Sequence, residues 1–117
     1  MGYSYDRQAH GPDHLDSARR SKVNHELVRA GFDGNGRFRS MGAAMNGMHA
    51  VLDKAGLELA DIPSAHYFMR DQATVNFRLA FSNPQDPFSP TEIENTTLHI
   101  SYTKLSEDKY EVVSYLS

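Results

Sequence analysis

The chain contains no cysteine. Disulfide frameworks, thiolate zinc sites and cysteine nucleophiles are therefore excluded. It also lacks any apolar run near the roughly 18 residues that a membrane-spanning helix needs. Its first residues, Met1-Gly2-Tyr3-Ser4-Tyr5-Asp6-Arg7, include no apolar stretch of the kind a secretory signal requires. These absences make the cytoplasm the expected location and leave no membrane partner to expect. Proline is scarce, and three of the five residues (Pro84, Pro87, Pro90) fall between Asn83 and Asn95, which reads as a loop over 83–95.

The common catalytic signatures are missing too. There is no G-x-x-x-x-G-K-[ST] phosphate loop, no G-x-S-x-G elbow and no H-E-x-x-H pair. Asp33-Gly34-Asn35-Gly36 brings calcium loops to mind but fails on spacing. With Gly36 as the sixth loop position the first ligand falls on Gly31, and with Gly34 it falls on Arg29. The stretch reads instead as the turn between two helices. Six histidines are scattered without ligand spacing, and His99 is expected on a solvated face. No metal and no cofactor are expected.

What the chain does contain is periodicity. Ala73, Val75, Phe77, Leu79 and Phe81 alternate with Thr74, Asn76, Arg78 and Ser82, with Ala80 as the apolar exception. Leu98, Ile100 and Tyr102 alternate with Thr97, His99, Ser101 and Thr103. A period of two gives strands with one dry and one wet face. Strands are predicted over 73–82, 96–104 and 110–116, with a further one over 66–70. Ser106-Glu107-Asp108-Lys109 supplies the last turn. Two registers are open for the last strand, one setting Val113 and Tyr115 beside Tyr102 and Ile100, the other Val112 and Leu116.

The N-terminal half reads as helical. Residues 1–12 form an arm with an edge strand around Tyr3 and Tyr5. Asp13 caps a first helix, Asp16 lies in its first turn, and Leu15, Ala18, Val23, Leu27 and Ala30 make its stripe up to Gly31. Ser40 caps a second helix, in which Met41, Ala44, Met45, Met48, Leu52 and Ala55 recur at three- and four-residue spacing before Gly56. Those methionines are expected in the core. The resulting fold class is α+β: two N-terminal helices packed on a three- to four-stranded antiparallel sheet, one domain over 1–117. Phe77, Leu79, Leu98, Ile100, Met45, Met48 and Leu52 form its predicted core.

Charge gives the functional clue. The chain carries a net −3, with +1 over residues 1–60 and −4 over 61–117. Between Ser17 and Arg39 there are six bases against two acids. Arg19 lies at apolar-stripe spacing from Leu15 and Val23, which leaves Arg20, Arg29, Arg37 and Arg39 as the candidate binding residues. The chain is therefore read as a small non-enzymatic binding protein of the accessory or inhibitor type, acting on a protein with an acidic surface. A nucleic-acid-binding domain using segment 17–39 is the second reading. A small enzyme without a recognisable motif is the third.

Overall fold

The computed structural model describes residues 14–83, 85, 86 and 90–117, with the backbone alone at residues 61, 62, 64 and 65. The arm with its strand around Tyr3 and Tyr5, and the Asp13 cap, lie outside the described residues. Two helices, α1 (Ser17–Arg29) and α2 (Met41–Lys54), precede four strands: β1 (Leu57–Phe68), β2 (Gln72–Phe81), β3 (Thr91–Ser106) and β4 (Lys109–Leu116). The strands form one antiparallel sheet in the order β1-β2-β3-β4. Both helices lie on its dry face, α1 against β4 and α2 against β1. The class is α+β.

Helix α1 starts later than the sequence predicts. Asp16, with extended backbone, is its cap, and Asp16 Oδ1 accepts the Arg19 N–H at 2.8 Å. Leu15 lies ahead of the helix, outside any regular element, yet it is among the most buried side chains. Ala18 and Ala30 are exposed, so the helix buries only Val23 and Leu27. Helix α2 follows its prediction closely. Ser40 Oγ accepts the Ala43 N–H at 3.1 Å, and Ala44, Met48 and Leu52 are buried. Met45 is half-buried, but Met41 is 40% exposed at the helix start and is not a core residue.

The sheet differs from its prediction at three places, each for a local reason. β1 runs from Leu57 rather than from 66, straight through Pro63. Pro63 pairs with Phe77 between two register shifts, and β1 is an edge strand, where a missing N–H is tolerated. The Pro-rich loop is shorter than 83–95, because Thr91, Glu92 and Ile93 already pair with Phe81, Ala80 and Leu79. Arg78 then pairs with Thr97, so Glu94, Asn95 and Thr96 bulge out of the ladder. Ala80, next to the wholly buried Leu79, is also buried, at 7% exposure, but it is not part of the core cluster.

At the other hairpin Ser106 pairs with Lys109 across a two-residue turn, and a register irregularity lies at Leu105. The irregularity selects the register with Val112 opposite Tyr102 and Leu116 opposite Leu98. One core results. Leu79, Leu98, Ile100, Met48 and Leu52 are fully buried at its centre, while Phe77 and Met45 pack at its margin. Phe32, Leu57, Ile93 and Val112 are buried with them, as are Leu15, Val23 and Leu27 from the α1 side.

The connection between the helices does more than turn. Gly31 (φ 95°) ends α1, and the Gly36 N–H donates to the Gly31 carbonyl at 3.1 Å. A Cβ on Gly36 would lie 2.7 Å from that oxygen, so this approach needs glycine. The segment then runs along the outer edge of β4. Phe38 and Tyr110 exchange both backbone hydrogen bonds, at 3.0 and 2.8 Å. Ser114 N–H donates to the Phe32 carbonyl at 2.8 Å, and Gly34 N–H donates to the Val112 carbonyl at 3.3 Å. Asn24 completes the row, its Nδ2 donating to the Leu116 carbonyl at 3.0 Å and its Oδ1 accepting the Leu116 N–H at 2.6 Å. An edge that would otherwise be a template for pairing is thus covered.

Candidate functional site: a cationic groove between the helices

Residues 19, 22, 23 and 26 follow the i, i+3, i+4, i+7 rule and lie on one face of α1. Residues 51, 54 and 55 do the same at the end of α2. These two faces flank an open groove of about 450 Å³. Val23, Val51 and Ala55 give it apolar walls; Arg19, Lys22 and Lys54 bring three cations, and Glu26 brings one carboxylate.

Arg19 is fixed in place. Its guanidinium lies 5.0 Å from the Phe81 ring centroid, and Nη2 donates to the Ala55 carbonyl at 3.0 Å. Ala55 is the C-cap of α2, so Arg19 and Lys54 both sit at the negative end of that helix dipole. Lys22 and Lys54 are exposed and take part in no ion pair among the described residues. Glu26 is committed to Arg29, at 3.5 Å. The groove therefore offers net positive charge over apolar walls, on a chain whose net charge is −3.

The four sequence-nominated arginines do not converge. Arg20 and Arg29 are nine residues apart on α1, about two and a half turns, which puts them on opposite faces. Arg20 is half-buried, its Nη1 3.5 Å from Thr96 Oγ1. Arg29 is exposed and paired with Glu26. Arg37 is held on the interhelical turn: Nη1 donates to the Gly34 and Gly36 carbonyls at 2.8 and 2.9 Å, and Nη2 lies 3.8 Å from Glu111. Arg39 is exposed ahead of α2. Lys22 and Lys54 are not among the sequence-nominated residues, and Arg19, set aside for its apolar-stripe spacing, is exposed and lines the groove, because Leu15 lies ahead of α1 and leaves no stripe around it. Lys22 could have been found from its i, i+3 spacing to Arg19; Lys54 lies outside segment 17–39 and joins the groove only through helix packing.

The wet face of the sheet holds a second polar constellation. In register across three strands stand Asn76, His99 and Tyr115. His99 Nδ1 is 2.8 Å from Asn76 Oδ1, its Nε2 is 2.5 Å from Ser117 Oγ, and Tyr115 stacks on the ring at 4.9 Å. His99 is thus engaged on both ring nitrogens rather than simply solvated. With Asn76 Oδ1 as an acceptor, the neutral tautomer that suits both contacts has Nδ1 donating and Nε2 accepting from the serine hydroxyl. The pairing has the order of a serine–histidine relay. However, the Ser117 amide is bound to the Thr97 carbonyl at 3.0 Å and is not free to hold an oxyanion. The cluster instead fastens the end of β4 across the sheet.

Among the described residues no three histidine, aspartate or glutamate side chains converge as a metal site. No described helix is long and apolar enough to cross a membrane. No family model matches the chain, and no curated protein or solved structure matches it significantly.

Proposed function

We propose that this chain is a binding protein that takes an acidic, partly apolar segment of a protein partner into the groove between α1 and α2. The observation that carries the reading is the composition of that groove: Arg19, Lys22 and Lys54 around Val23, Val51 and Ala55. Cations at the rim attract and orient an acidic segment, while the apolar wall rewards its hydrophobic side chains. The same wall favours a peptide over nucleic acid, whose backbone brings phosphates and no apolar side chain.

Fluorescence anisotropy tests the reading. The probes are a labelled peptide of alternating leucine and glutamate, a leucine–lysine peptide of equal length, and a single-stranded oligothymidylate. The leucine–glutamate peptide binds best. Lys22→Glu combined with Lys54→Glu weakens it about tenfold or more, and added salt weakens it further. Tighter binding of the oligothymidylate, or acidic-peptide binding indifferent to the double charge reversal, overturns the proposal.

A further inference from the structure

Five of the eight exposed large hydrophobic side chains in the described residues stand at one end of the molecule: Met41, Tyr67, Phe68, Met69 and Leu105. This is the end with both hairpin turns. The turns are tied together, because Gln72 pairs with Thr103 and the Lys104 N–H donates to the Asp71 carbonyl at 2.8 Å. Concentrated apolar exposure of this kind marks an interaction surface. Next to it, Met41, Phe68, Met69, Ala73, Tyr102 and Tyr110 line a groove of about 220 Å³, with Arg70, Asp71 and Lys104 at its margin. That is room for one side chain of leucine size, not for a folded element.

The same end carries a side chain that fits. Leu105 is 45% exposed at the irregularity before the β3–β4 turn, and Glu107 and Asp108 follow it. We propose that this end is a homotypic docking surface, at which Leu105 of one copy enters the Phe68–Met69 groove of a second copy and the reverse contact forms about a two-fold axis. Charge complementarity argues for a second copy as the occupant. The groove margin has the cations Arg70 and Lys104; the turn that would approach it has the acids Glu107 and Asp108. None of these four takes part in an ion pair among the described residues. Because one end presents both halves, a two-fold arrangement satisfies both at once. With Asp71 and Lys109 included, three bases meet three acids there, so two copies approach without the repulsion that the whole-chain charge of −3 implies. Edge-to-edge association is the less available route, since β4 is covered by the 32–38 segment and the β1 edge carries Pro63, which has no N–H to offer, between two register shifts.

Sedimentation velocity from micromolar to millimolar protein tests this. The native chain shows a concentration-dependent monomer–dimer equilibrium. Leu105→Asp and, separately, Phe68→Asp each raise the dimer dissociation constant about tenfold or more, with the thermal melt of the dilute monomer unchanged. Arg70→Glu weakens the dimer, and adding Glu107→Arg to the same chain restores it. A native chain that stays monomeric to millimolar concentration overturns the proposal. So does a dimer that survives both aspartate substitutions, or a charge reversal that its partner reversal fails to rescue.

Discussion

Asn95 holds Leu15 as a neighbouring strand would: its Oδ1 accepts the Leu15 N–H at 2.9 Å and its Nδ2 donates to the Leu15 carbonyl at 2.9 Å. Eighty residues separate the two in sequence. The contact explains how Leu15, outside any helix or strand, is 1% exposed: its peptide groups are satisfied by a side chain placed in the β3 bulge. Asn24 does the same for Leu116 at the other end of the α1 layer.

Replacing Asn95 with alanine removes its two hydrogen bonds to Leu15, of about 1 kcal/mol each, strands the Leu15 peptide groups and takes the acceptor from the Thr96 hydroxyl. The expected loss is about 2–4 kcal/mol. Asn95→Asp keeps the acceptor but loses the donor, and falls between the two. Chemical denaturation of the three proteins checks the order. An alanine variant as stable as the native chain removes the latch from the account.

Gly47 and Gly42 both lie within α2, and exchange for alanine separates them. A Cβ on Gly47 would stand 3.1 Å from Phe32 Cζ. Phe32 cannot retreat, being 1% exposed and stacked on Phe38 at 4.8 Å. A Cβ on Gly42 would meet nothing nearer than Ser40 Oγ at 3.8 Å. Gly42→Ala is therefore expected to gain about 0.5–1 kcal/mol through helix propensity. Gly47→Ala is expected to lose about 1–3 kcal/mol through overpacking. Denaturant midpoints moving upward for both would contradict the packing described around Phe32.

Burial pushes the Tyr102 hydroxyl up from 10.0 to about 12. That hydroxyl donates to Met45 Sδ at 2.7 Å. A folded-state value above the unfolded one favours the proton-bound form in the native state. The contribution is fully present below about pH 10 and is lost as pH rises through about 12. Stability measured against pH should fall more steeply in this window for the native chain than for Tyr102→Phe. Parallel curves would show that the ring ionises as freely folded as unfolded.

The fold class was legible because alternation in 73–82 and 97–103 and the methionine spacing in α2 are local signals. The departures come from interactions the sequence separates. Nothing near Glu94-Asn95-Thr96 announces a bulge whose asparagine serves Leu15, and nothing at Leu105 announces the irregularity that picks the β4 register. Met41 has core spacing but lies at the first turn of α2, beyond the sheet's cover. The groove was half legible: Arg19, Lys22 and Glu26 share a helical face on inspection, but Lys54 joins them only when α2 lies beside α1. Counting charge from Ser17 to Arg39 found the basic region yet could not tell that Arg20 and Arg29 face opposite ways.

Amide chemical-shift mapping during titration with the leucine–glutamate peptide tests the central claim most directly. Binding in the interhelical groove moves the signals of Lys22, Val23, Glu26, Val51, Lys54 and Ala55, with saturation that weakens as salt rises. Shifts confined to the hairpin end around Phe68 and Leu105, or to the sheet face around His99, would contradict the assignment of the groove, as would a spectrum unmoved at millimolar peptide.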